Sequence, residues 1–181
     1  MKDILPIAFI LIYNLCTAQV TKEFPIDNNG RILFTNVIEL DNSTTKKDLY
    51  NRSKIFFVES FNSANDVIQL DNKEDVIIII IIDKGSTPIN MIENNPSVVA
   101  NLNYTLKLKF KDGQYKYDIY DLRFDVLNTS TALEDMYNEK RYASLSERLK
   151  TNFQYSRDKV ILEINSLISL LNKKMRDNKN K

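Results

Sequence analysis

The dipeptide Asp112-Gly113 constrains this chain more than any other feature. It lies between two long stretches rich in β-formers, about 98–110 and 114–124. A two-residue hairpin loop needs positive φ at both central positions, and Asp-Gly meets that need. The turn then sets a register that the side chains can check. Phe110 comes opposite Tyr115, Leu108 opposite Tyr117 and Leu106 opposite Ile119, all on one side. Lys109 comes opposite Lys116, Lys107 opposite Asp118 and Thr105 opposite Tyr120 on the other. A slip of one residue would mix the two sets, so the pairing is strongly specified. One face of this ribbon must be core and the other mostly wet. The Lys109–Lys116 pair is unfavourable unless solvent or an anion screens it.

The other elements arrange themselves around this hairpin. Gly30 opens a strand over 31–40 that carries Ile32, Phe34, Val37 and Ile38. Asp41 to Thr44 is a polar turn. Thr45 has the character of an N-cap, with Asp48 in the capping-box position. The helix that follows runs to about Phe61. Leu49, Ser53, Phe56 and Ser60 share one stripe of it, which Tyr50, Phe57 and Phe61 widen. A short strand over 66–70, a polar turn over 71–74 and a second strand over 75–84 come next. Gly85-Ser86-Thr87-Pro88 ends that strand, and a loop reaches Pro96.

After Asp125 the pattern turns helical. One or two short helices fall within 132–149 and a long one covers 153–175. On the long helix Val160, Ile164, Leu167, Leu171 and Met175 recur at helical spacing, flanked by Ile161 and Ile168. Core packing is the default for such a stripe, ahead of a coiled-coil seam. Lys173, Lys174 and Arg176 complement the C-terminal end of the helix dipole. The order β-α-β-β-β-β-α predicts an α+β fold. Its five-stranded antiparallel sheet places the first strand beside the fifth, with helices on one face and an extra C-terminal helical segment.

The N-terminus addresses location. Met1 to Ala18 reads as a secretory signal peptide: Lys2, an apolar run from Ile4 to Leu15, and small residues at Cys16 and Ala18 before cleavage at Gln19. The run is too short for a permanent membrane span, which needs roughly 20 apolar residues. The expectation is an exported protein, periplasmic or secreted, with a signal over 1–18, an α+β domain over 19–125 and a helical extension over 126–181. It would not be an integral membrane protein after cleavage. The large Tyr13-Asn14-Leu15 before Cys16 argues against lipidation. Cleavage would remove the single cysteine and leave no disulfide.

Composition narrows the chemistry. There is no histidine, which removes His-based triads and the usual zinc ligand. Lys and Arg number 25 against 24 Asp and Glu, so the chain lacks the electrostatic footprint of a general nucleic-acid binder. Asn42, Asn51, Asn103 and Asn128 begin glycosylation sequons, which chance explains in so Asn-rich a chain.

Several segments together resemble the domain-of-unknown-function 4468 family with a TBP-like fold, found in exported proteins of Bacteroidetes. The likeness spans about Phe24 to Phe124. It lies in Phe24-Pro25-Ile26-Asp27 before Gly30, in Lys47-Asp48-Leu49-Tyr50-Asn51-Arg52, in Val67-Ile68-Gln69-Leu70-Asp71, and in Lys111-Asp112-Gly113-Gln114-Tyr115-Lys116-Tyr117. The resemblance implies a TBP-like sheet and an exported location, and it implies no catalytic residue. The strand over 76–82 departs from the pattern, where a glycine-containing, more polar strand is expected. A TBP-like fold does not itself imply DNA binding, because function belongs to sites.

Val76 to Ile82 is seven consecutive aliphatic residues. Alternation puts Ile77, Ile79 and Ile81 on one face and Val76, Ile78, Ile80 and Ile82 on the other. A strand like this wants both faces covered. Helices on one side cover one face, so the other must meet the C-terminal tail, a second protomer, an envelope protein or an apolar ligand. Cover by the tail is the expectation. Ile77, Ile79, Ile81, Lys107, Lys109, Lys116 and Tyr120 are the candidate binding surface, the last four as a basic patch on the wet hairpin face. Asp71, Glu74 and Asp75 lack the ladder of a calcium loop, so no metal site is expected. Asp118, Asp121 and Asp125 form a carboxylate series that alternation divides. No Gly-x-Ser-x-Gly elbow occurs. The expected role is a non-catalytic binding or scaffolding module without a cofactor. A small apolar-ligand carrier is the alternative, and a carboxylate-based hydrolase comes after it.

Overall fold

The Asp112-Gly113 turn anchors the architecture as well as its own hairpin. Gly113 has φ +71°, but Asp112 lacks the positive φ expected of it, so the turn uses the left-handed region at its second central residue alone. Its N–H donates to the Thr44 carbonyl at 2.8 Å, and its own carbonyl accepts from the Leu40 N–H at 2.8 Å. The Asp112 carboxylate accepts from the Lys46 N–H at 2.7 Å. Lys46 is the first residue of the first helix, so the hairpin tip supplies a cap to that helix. The computed structural model describes residues 23–60, 69–73, 76–93, 95, 97–126 and 129–177, with the backbone alone for 69–73 and 76–87. The expected signal over 1–18 lies outside the described residues.

The elements are β1 (Phe34–Glu39), α1 (Lys46–Ser60), β2 (Gln69–Lys73), β3 (Val76–Asn90), β4 (Val99–Lys111), β5 (Gln114–Val126), β6 (Thr129–Ala132), α2 (Leu133–Met136), α3 (Glu139–Ala143) and α4 (Glu147–Arg176). The sheet runs β1-β5-β4-β3-β2, antiparallel throughout, with β6 also on β5. The first long strand does pair with the fifth, from Phe34 opposite Ile119 to Glu39 opposite Gln114. The hairpin register holds from Lys111–Gln114 back to Thr105–Tyr120. The capping box forms reciprocally: the Asp48 N–H donates to Thr45 Oγ1, and the Thr45 N–H donates to the Asp48 carboxylate, each at 3.1 Å.

Four boundaries differ from the sequence expectation. The turn expected over 71–74 is largely strand, because β2 extends to Lys73 and tightens its connection to β3. β3 does not stop at Gly85-Ser86-Thr87-Pro88. It continues to Asn90 through a register irregularity between Asp83 and Thr87, the place in a ladder where Gly and Pro are tolerated. The segment after Asp125 is not helical throughout. Thr129 to Ala132 form a sixth strand, because β5 outruns β1 and leaves its edge free from Arg123 to Val126. The long helix begins at Glu147, earlier than expected, with Ser146 in extended conformation before it.

A second irregularity falls in β5. Asn103 pairs with Arg123 but Thr105 pairs with Tyr120, so β5 carries one extra residue there. Asp121, at φ 54°, absorbs it. Burial parity flips accordingly: Tyr115, Tyr117 and Ile119 are buried before the bulge, Leu122 and Phe124 after it. Both irregularities lie level with Tyr104 of β4. Bulges increase local twist and bend a strand, so the sheet bends at this level. The outer edge of β5 changes partner from β1 to β6 at the same place.

One core joins the layers. Leu49, Phe56 and Phe57 of α1 share it with Val160, Ile161, Ile164, Leu171 and Met175 of α4, and with Leu106, Leu108, Phe110, Tyr115, Tyr117 and Ile119 of the hairpin. Leu167 and Ile168 are half-buried against it. Ser60, expected on the stripe, is exposed. Phe61 lies outside the described residues. Arg52 was not expected inside, yet it is buried. Its guanidinium donates to the Met175 carbonyl at 2.5 Å, satisfying an orphan acceptor in the last turn of α4. Lys174 adds an ion pair to Glu59 at 3.0 Å.

Gly113→Ala should lower stability by about 1–2 kcal/mol, because a Cβ at positive φ is strained and would lie 3.2 Å from Asn42 Oδ1. A denaturant midpoint that stays put would show that the tip is not an anchor. Arg52→Ala should lose about 2 kcal/mol, the scale of a charged hydrogen bond in the interior. Hydrogen exchange should show the loss first as faster exchange in the last turns of α4.

Candidate functional site

The two faces of the sheet have different neighbours. Even-numbered residues of β4 and odd-numbered residues of β5 up to Ile119 face α1 and α4. The Tyr115 hydroxyl donates to Asn172 of α4 on this side, and burial pushes the tyrosine's pKa well above its ordinary value. Lys107, Lys109 and Lys111 of β4 occupy the opposite face, with Lys116, Asp118 and Tyr120 of β5 and Thr35, Val37 and Glu39 of β1. The C-terminal tail was expected to cover that opposite face. Instead α4 lies beside α1 on the same side, because its apolar stripe completes the core that α1 leaves unfinished.

The candidate residues therefore separate. Register sets Ile77, Ile79 and Ile81 level with Phe110, Leu108 and Leu106, on the row shared with the helices. Ile78, Ile80 and Ile82 are level with Lys109, Lys107 and Thr105 instead. All these isoleucine side chains lie outside the described residues. Lys107, Lys109, Lys116 and Tyr120 do come together on the helix-free face.

Lys111 continues the row of Lys107 and Lys109. Strand alternation pointed to it already, but its place at the end of the strand hid it. The result is three lysines at successive outward positions of one strand, with Lys116 across from the middle one. Of the acids on this face, Asp118 is engaged: its Oδ1 accepts from Thr35 Oγ1 at 2.6 Å and pairs with Lys116 at 2.9 Å. Among the described residues Lys107, Lys109 and Lys111 form no ion pair. Tyr120 stands opposite buried Thr105. Its pKa is raised, first by desolvation and then by the Asp118 and Asp121 charges.

The carboxylate series does not converge. The bulge puts Asp118 and Asp125 on one face, but roughly 20 Å apart along the strand. Asp125 accepts from Asn103 Nδ2 at 2.7 Å, and Asp121 is exposed beside Arg123. Of the acidic turn weighed for a metal, Asp71 is in β2, and its side chain, with Glu74 and Asp75, lies outside the described residues. Among the described residues no cluster of three acidic, His or Cys side chains is placed to hold a metal. No described helix is long and apolar enough to cross a membrane.

The match to known proteins is to a fold and a family. The model of the domain of unknown function DUF4468, described as having a TBP-like fold, matches residues 34–125. The chain belongs to this family. The DUF4468 match ends within β5, so β6 and the helices after it lie beyond it. A TBP-like protein from Parabacteroides distasonis ATCC 8503 has a similar structure, with a TM-score of 0.60 at 14% identity, over 83% of this chain and 96% of that one. A DUF4468 family protein from Bacteroides ovatus ATCC 8483 gives 0.59 at 14% identity, over 87% and 93%. No curated protein matches the chain. These likenesses extend past the DUF4468 segment, so the fold they share includes much of the helical extension.

Lys109 opposite Lys116 costs stability, since like charges directly across a ladder repel. Lys109→Glu should therefore raise stability by about 0.5 kcal/mol at low salt, and the gain should shrink in concentrated salt. An unchanged or lower melting temperature at low salt would show that the repulsion is already relieved.

Proposed function

We propose that this DUF4468 protein is an exported, non-catalytic binding or scaffolding module of the cell envelope that works through the helix-free face of its sheet. Placement of α1 and α4 on one side carries this reading. It leaves on the other side a row of lysines that form no ion pair among the described residues, flanked by Val37 at 47% exposure. Three lysines in succession that form no ion pair among the described residues fit a surface shaped for a partner better than one shaped for stability. The export half of the reading rests on the Met1–Ala18 pattern. The layer between the sheet and α4 is filled by Leu108, Tyr115, Leu171 and Met175, so a carrier of small apolar ligands draws no support from it.

Site-specific photocrosslinking tests the reading in producing cells. A crosslinking residue at Val37 should yield discrete adducts in the exported fraction. One at Leu162, exposed on the outer side of α4, should not. Adducts from Leu162 alone, or from neither position, would remove the proposed face.

A further inference from the structure

Resting on that binding role, we infer that the lysine row docks an extended acidic segment of a partner protein whose carboxylates recur at every second residue. The argument is one of spacing and charge. Outward positions on a strand repeat about every 7 Å, and Lys107, Lys109 and Lys111 occupy three in succession. Side chains on one side of an extended peptide repeat at the same distance. Carboxylates at alternate positions can therefore meet all three ammonium groups at once. Lys107 and Lys109 are half-buried, so their stems lie along the sheet and their headgroups lose less freedom on pairing. Lys116, across from Lys109, is paired with Asp118 at 2.9 Å, so the three lysines of β4 carry the row.

The surroundings favour a single strand of peptide over other anions. Asp118 and Glu39 share this face on the β5–β1 side. Asp118 offsets Lys116 and Glu39 adds an opposing charge, so positive charge is confined to a narrow line along β4 and a broad anionic surface such as a membrane gains little. A nucleic-acid strand offers similar charge spacing, yet the face supplies one half-buried tyrosine, Tyr120, for base stacking. Across the row, register places Ile80 and Ile78 level with Lys107 and Lys109, at the positions next to a docked segment.

Fluorescence anisotropy with the full exported protein tests this. The probe is a labelled peptide of about twelve residues with Glu alternating with Thr. An isomer with its Glu residues in one block, a single-stranded oligonucleotide of equal charge and phosphatidylglycerol vesicles are the comparisons. The alternating peptide should bind at least about ten-fold more tightly than the block isomer. Lys107→Glu, Lys109→Glu and Lys111→Glu together should abolish the difference. The charge-matched Lys47→Glu, Lys140→Glu and Lys173→Glu set on the helices should keep it. Equal binding of the two peptides, tighter binding of the oligonucleotide or vesicles, or retention by the sheet variant would overturn the inference. If the peptide fails while Val37 still forms adducts, the acidic partner is wrong and the binding role stands. If Val37 also forms none, the role itself falls.

Discussion

The contact between the Asp112-Gly113 tip and the β1–α1 connection holds the two ends of the design together. A hairpin tip is ordinarily a place where a chain can fray. Here its backbone bonds to Leu40 and Thr44, and its carboxylate caps the first helix at Lys46. β1 and α1 therefore cannot shift relative to β5 without breaking the turn. Since β1 pairs in register with β5, the same contact sets which residues of β1 share a face with Lys116 and Asp118. The face proposed for binding inherits its geometry from a turn at its margin.

The bend at Tyr104 divides that face. On the hairpin side the outward residues of β4 from Lys107 to Lys111 are lysines. Beyond the bend the outward residues include Asn103, which donates to Asp125, and Arg123, which donates to Ser130. A straight β5 would have continued its parity and turned Leu122 and Phe124 outward. One residue at positive φ, Asp121, keeps both inside and gives β6 the edge that β1 has left. The bulge thus preserves the core, while the lysine row on β4 ends because Thr105 takes its next outward position.

What the sequence made legible follows from how local each signal is. The hairpin register, the capping box and the α4 stripe each rest on residues a few positions apart, so alternation and helical spacing reveal them. The bulge at Asp121 escapes the same test, because nothing near it is Gly and an Asp-rich strand masks a single insertion. Arg52 escapes because its partner, the Met175 carbonyl, is 123 residues away. The face met by α4 escapes for a related reason. An apolar stripe says that a helix is buried but not against which side of a sheet. Of the candidate site, Lys107 and Lys109 were legible from Leu-Lys-Leu-Lys, whereas Lys111 fell past the expected strand end at Phe110, and the separation from Ile77, Ile79 and Ile81 needed both the pairing and the place of the helices.

That separation changes what the isoleucine run means. Both rows of β3 are aliphatic, and one of them is level with the helix-covered side. The other is level with Lys109, Lys107 and Thr105, on the side the described helices leave alone. Charged and aliphatic positions thus stand at matching register in adjacent strands. Aliphatic residues gain little from water, and lysines gain little from an apolar cover. A partner with acidic groups along one line and apolar groups beside it satisfies both.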